Sequence, residues 1–163
     1  MSIRTILAID PGNKRSAWVL FRDGKVIDKD IDENKPLAVS LAEDQTFAEA
    51  DHLAVEMIAS YGMAVGAEVF ETCVWIGRFI EAWGCDYSLI YRKDVKLFLC
   101  GTTKAKDANI RQRLIDLHGP GKEAAIGTKR APGPLYGVRA DEWSALAVAI
   151  TAESQLRAKQ LAG

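Results

Sequence analysis

The run TILAID, residues 5 to 10, is apolar up to its last residue, a carboxylate, and the turn formers Pro11 and Gly12 follow at once. It predicts a buried strand that ends on Asp10. SAWVLFRDGKVIDKDI, 16 to 31, predicts two strands joined at Asp23-Gly24, a pair suited to a tight hairpin. Three antiparallel strands therefore open the chain. Residues 34 to 49 read as a short helix and a connection, and HLAVEM, 52 to 57, as a fourth strand with Glu56 near its end.

After the loop ASYGMAVG, helical periodicity runs from 67 to 83, and YSLIYR, 87 to 92, predicts a fifth strand. Two helices follow, over 93 to 99 and 107 to 118, with Asp107 in position to cap the second. GPGKEAAIGTKRAPGPLYG, 119 to 137, holds five glycines and three prolines and predicts a long loop; loops of that length in compact domains are usually functional or disordered. A last helix is expected from 139 to 160. Strands first in hairpins and then alternating with helices imply an α/β domain with a mixed five-stranded sheet covered by helices, one domain over 1 to 163.

In the 67–83 helix, Val69, Cys73, Ile76, Ile80 and Trp83 form one apolar face, and Phe70, Val74, Trp75 and Phe79 widen it. A stripe this wide predicts burial on two sides, against the sheet and against a second copy in a homodimer. The four tryptophans, at 18, 75, 83 and 143, are expected in the core or an interface.

Composition changes this picture little, being that of an ordinary globular chain with 48% apolar and 26% charged residues. No signal peptide and no apolar run of membrane-spanning length is present, so a cytoplasmic protein without membrane contact is expected. Cys73, Cys85 and Cys100 lack metal-site spacing and predict buried thiols in a reducing compartment. His52 and His118 show no ligand spacing. The net charge of −1 conceals an asymmetry: residues 28 to 86 carry 13 acids against 3 bases, and residues 92 to 139 carry 11 bases against 4 acids. That split is compatible with a basic surface for an anionic partner and equally with an internally salt-bridged fold.

The candidate chemistry lies in three acids at element ends: Asp10, Glu56 and Asp141. Hard oxygen ligands of this kind suit divalent cations, and two Mg²⁺ ions about 4 Å apart can clamp both oxygens of a phosphodiester displacement. Each acid alone is as readily a cap or a solvated side chain, Asp141 in particular being a plausible helix-start acid.

ILAIDPG, LAVEMIASYGM and ADEWSALAVAI, taken in order, resemble the three-part signature of RuvC-like Holliday-junction resolvases in the RNase H-like superfamily. Within that group the chain looks like the short resolvase-like nucleases of bacteriophages and bacteria. The resemblance implies an RNase H-like fold, a homodimer, two Mg²⁺ or Mn²⁺ ions per site, and paired nicks across four-way junctions or related branched DNA such as forks. By position it makes Asp10, Glu56 and Asp141 the metal ligands. It departs at one place: where the family often has a second acid three residues on, this chain has Ser144, whose hydroxyl can hold a metal-bound water but supplies no charge. Glu142 is rotated about 100° from Asp141 on a helix, and Asp107 is a further acid able to complete the site.

The resemblance also places Lys104 and Lys106 where basic residues neutralise the scissile phosphate. Lys122, Lys129, Arg130 and Arg139 flank Asp141 in sequence and suit phosphate contacts, although any one of them alone is more often a solvated residue. Tyr61 and Met63 lie in a loop that would approach the junction centre, where an apolar side chain unstacks bases; packing under the long helix is the alternative. Sugar kinases and actin-like ATPases share the opening pattern but need a duplicated domain that 163 residues do not provide. The remaining alternative to a nuclease is a branched-DNA-binding protein with a decayed site.

Overall fold

The computed structural model describes residues 4–43 and 45–163. Strands β1 (Thr5–Asp10), β2 (Arg15–Arg22) and β3 (Lys25–Glu33) form an antiparallel meander. Helix α1 (Asn34–Ala42) leads to β4 (His52–Met57), α2 (Ala67–Trp83) and β5 (Tyr87–Tyr91). The remainder is helical: α3 (Arg92–Cys100), α4 (Asp107–His118), the single turn α5 (Lys122–Ala125) and α6 (Glu142–Ala162). The sheet order is β3-β2-β1-β4-β5, with β1, β4 and β5 parallel to one another. The expected mixed five-stranded sheet is thus present.

β1 is central and buried on both faces, which is why its sequence is an unbroken apolar run. Strand alternation sends Ile6 and Ala8 to one core, with Ala54, Ile90 and the Ala-rich face of α6, while Leu7 and Ile9 join Leu53, Val55, Ile76 and Phe79 in the other, under α1 and α2. Small side chains at Ala145, Ala147, Ala149 and Ala152, all buried, let α6 lie close on β1 and β2.

The hairpin turns at Asp23-Gly24 with φ of 50° and 75°, the left-handed pair that an Asp-Gly turn supplies. The turn after β1 is tighter. Ser16 Oγ accepts from the Gly12 amide at 3.1 Å and donates to Asn34 Oδ1 at 2.6 Å, and Asn34 Nδ2 donates to the Gly12 carbonyl at 2.8 Å. A Cβ at position 12 would stand 2.3 Å from the Arg15 carbonyl oxygen, so only glycine fits there.

Four expectations need correction. Position 107 is the first residue of α4 rather than its cap: the Lys106 amide donates to Asn109 Oδ1 at 2.9 Å and the Asn109 amide returns to the Lys106 carbonyl, leaving the Asp107 carboxylate unused by the helix. Residues 119 to 137 are not an open loop. They contain α5 and a Gly127–Pro132 bridge, and they bury Leu135 completely, because an apolar anchor and backbone hydrogen bonds to Ala125 and Ile126 offset the ordering of the chain. The last helix begins at Glu142, since Ala140 has a φ of 47° and cannot join it. Cys85 is exposed and Cys73 and Cys100 are half-buried, so the thiols are free without being core residues.

Helix α2 buries Ile76 and Phe79 against the sheet but leaves Phe70 and Val74 at 63% and 62% exposure. Trp18 and Trp143 are buried, as expected, and Trp75 and Trp83 partly so. His52 is a core residue hydrogen-bonded to Ser88 Oγ through Nε2 at 2.7 Å. Among the described residues no helix is long and apolar enough to cross a membrane.

Candidate active site

The sheet register brings the first two acids together. Ile9 pairs with Val55 across the parallel β1–β4 ladder, so Asp10 and Glu56 are the next residues along neighbouring strands. Both continue the alternation of Ala8 and Ala54, which places their side chains on the sheet face covered by α6. Ile90 pairs with Glu56, and β5 runs on into Arg92, the first residue of α3, at the same sheet edge. Asp141, at the start of α6, makes no capping hydrogen bond and is exposed. Its charge acts on both Asp10 and Glu56.

The electrostatics follow from burial. The Asp10 carboxyl is pushed up to about 8, first by burial, then by the Glu56 charge and then by Asp141; Arg92 opposes the shift. Glu56 is also raised by burial, and Arg92 is the main influence holding it down. The two carboxyls act on each other at close range, and the Glu56 charge raises Asp10 further. The Arg92 guanidinium lies 3.9 Å from Glu56 Oε1 and pairs with the Asp107 carboxylate.

Asp10, Glu56 and Tyr61 line one cavity with Arg92, and Asp107, Asp141 and Ser144 line an adjoining one with Arg92. Among the described residues no three His, Cys, Asp or Glu side chains stand close enough together to hold an ion. The donor set nevertheless suits a hard divalent cation: carboxylates crowded until one of them retains its proton are what such a cation relieves.

Of the other expected residues, Ser144 faces the same cavity as Asp141, whereas Glu142 points away, almost fully buried, 3.0 Å from Lys29 Nζ. Tyr61 and Met63 are 65% and 72% exposed, not packed under α2, and Tyr61 holds a strained φ of 49° at the cavity rim. Lys104, Lys106, Lys122, Lys129 and Arg130 are exposed and line neither acidic cavity. Arg139 is engaged by Asp30 at 3.3 Å and by Glu142 at 3.7 Å.

The cations at the acids are instead Arg92 and Arg111, the latter stacked 4.6 Å from the Trp143 ring centroid in the second cavity. Neither is foreseen from sequence, where Arg92 reads as the last residue of a strand. A basic residue at the end of a strand parallel to the one carrying Glu56 is the signal that identifies Arg92, once that pairing is known.

Comparison with solved structures identifies the architecture. RuvC of Thermus thermophilus superposes with a TM-score of 0.63 over 94% of this chain and 96% of its own, at 17% identity. The fold is RuvC-like. The T. thermophilus RuvC structure in complex with a Holliday junction substrate also matches, with a TM-score of 0.61, 17% identity, and coverage of 91% of this chain and 92% of that one. No protein-family model matches the chain and no curated protein does. In this RuvC-like fold the Asp10–Glu56 pair sits at the C-terminal edge of the central parallel strands, with the N-terminal end of α6 beside it.

Proposed function

We propose that this protein is a metal-dependent endodeoxyribonuclease that nicks four-way junctions or related branched DNA. The observation that carries the reading is the adjacent Asp10–Glu56 carboxyl pair, under the charge of Asp141, at the strand edge of a RuvC-like fold. Asp10, Glu56 and Asp141 would hold Mg²⁺ or Mn²⁺, two ions per site, with Ser144 or Asp107 completing the set. Bound there, divalent ions activate water and neutralise the charge that develops on a phosphodiester.

The chain's own residues do the rest. Partial burial of Asp10 and Glu56 in their cavity limits the bulk water around the carboxylates. Arg92 and Arg111 supply positive charge at the two cavities. Lys104, Lys106, Lys122, Lys129 and Arg130, all exposed, would follow the DNA backbone, and exposed Tyr61 and Met63 would meet bases at a branch point. Phe70 and Val74 would pair two copies through α2, and the two-fold symmetry would set two cuts. A nuclease of this kind would meet its DNA in the cytoplasm.

The test is cleavage of a labelled synthetic four-way junction in Mg²⁺ or Mn²⁺, beside linear duplex, fork and RNA–DNA hybrid. Symmetric nicks confined to branched substrates are expected. Junction binding without cutting under either metal would leave a non-catalytic branched-DNA-binding protein.

Ser144 gives a separate expectation. Because it faces Asp141's cavity, Ser144→Asp adds a hard ligand and lowers the Mg²⁺ concentration for half-maximal cleavage by roughly tenfold, the size of one favourable close charge contact. An unchanged metal titration would place Ser144 outside the site.

A further inference from the structure

Two cavities meet at Arg92. One, of about 190 Å³, belongs to Asp10, Glu56 and Tyr61; the other, of about 330 Å³, to Asp107, Asp141 and Ser144. Arg92 lines both, and no other described residue does. Its grip on either side is incomplete. Nη2 pairs with Asp107, a residue whose side chain is 85% exposed, while Nη1 faces Glu56 at 3.9 Å, beyond hydrogen-bond length. Nη1 is enclosed and has no hydrogen-bond partner. A guanidinium with five donors is costly to enclose with one nitrogen unmet.

We infer that Arg92 is a positioning residue that partitions the acidic site and competes with the divalent cation for Glu56. The inference rests on the metal-dependent reading above. The guanidinium stands between Glu56 and Asp107, with Asp10 and Glu56 lining the cavity on one side and Asp107 and Asp141 the cavity on the other. Swinging Nη1 away from Glu56, with Nη2 kept on Asp107, joins the cavities and removes a positive charge from the Glu56 oxygen. Carboxylates from both sides can then reach a common ion. Arg92 thus balances the acids when the ion is not bound and lowers affinity for the ion by the cost of displacing it.

The test is Mn²⁺ binding to the full chain, measured by titration calorimetry and by loss of the free-Mn²⁺ paramagnetic resonance signal. Wild type is compared with Arg92→Gln, Arg92→Met, Arg92→Lys and Asp10→Asn, each checked for folding by circular dichroism. Removing a unit charge a few ångströms from a divalent ion tightens binding by roughly tenfold or more in Arg92→Gln and in Arg92→Met. Arg92→Lys, which keeps the charge, stays within about threefold of wild type. A purely structural role would weaken binding in all three. Arg92→Gln or Arg92→Met binding Mn²⁺ no tighter than wild type, while Asp10→Asn still reduces binding, overturns the partition role and leaves the metal site standing. No Mn²⁺ binding by wild type, or binding indifferent to Asp10→Asn, overturns the metal-dependent reading itself.

Discussion

Asp10→Asn cuts junction cleavage on the order of a thousandfold and makes the metal-free protein more stable at pH 8. The loss of cleavage follows from removing a proposed metal ligand, and the gain in stability from removing a buried carboxylate. The Asp10 carboxyl is pushed up to about 8 from an ordinary 3.8, chiefly by burial and then by the charges of Glu56 and Asp141. In the unfolded chain it ionises near 4. Between those values the folded protein holds a proton that the unfolded chain has released. Stability from this group is therefore complete below about pH 4, falls as pH rises toward 8, and stays lost above it.

Asparagine has no proton to lose, so the variant escapes that decline. Linkage sets a ceiling of about 5 kcal/mol on the difference at pH 7.5. Thermal unfolding at pH 8 without divalent ions should show the variant melting roughly 5–15 °C higher. Added Mg²⁺ raises the wild-type midpoint by mass action and leaves the variant unmoved. Cleavage should fall on the order of a thousandfold, about 4 kcal/mol of barrier, with junction binding retained because the basic surface is intact. Coincident melting curves from pH 5 to 8 would show that burying Asp10 carries no cost, and near-wild-type cleavage would remove it from the mechanism.

Glu142→Ala has the largest expected loss of stability. The carboxylate is 1% exposed, 3.0 Å from Lys29 Nζ and 3.7 Å from Arg139 Nε, and it accepts the Arg139 amide at 3.0 Å. Lys29 also donates to the Gly137 carbonyl at 2.7 Å, so one buried acid ties β3 to the chain that delivers Asp141. Truncating one partner of a buried pair typically costs 3–5 kcal/mol. Lys29 remains 21% exposed and can rehydrate in part, so about 3 kcal/mol is expected, a midpoint lower by roughly 6–12 °C. Lys29→Met together with Glu142→Ala should recover part of the loss, since no unpaired charge then remains. Losses that simply add in the double variant would show that the two residues do not interact.

Much of this was legible in sequence for local reasons. Ile6 to Ile9 could only be a buried strand, Asp23-Gly24 only a tight turn, and the 67–83 periodicity only a helix, because each signal is carried by residues adjacent in the chain. Asp107 misled for the same reason. An acid at a helix start reads as a cap, yet Asn109 provides that hydrogen bond and Asp107 turns to Arg92, fifteen residues back. The segment from 119 to 137 misled because its glycines and prolines outweigh one leucine in composition, whereas in the fold burial of Leu135 orders the whole segment.

The sequence by itself determined the five strands, their hairpin and alternating order, and three acids at element ends. Those features depend on side-chain period and turn chemistry, which are properties of short stretches. Only the tertiary structure decided that Asp10 and Glu56 are register neighbours on one face and that Arg92 stands between two groups of acids. It also decided that Glu142 belongs to Lys29 rather than to the site. The physical reason is that charges act through space. Whether a carboxylate is crowded, paired or free depends on burial and on partners brought from 36 to 131 residues away, as Glu56 and Arg92 or Asp10 and Asp141 are, and no local pattern records those distances.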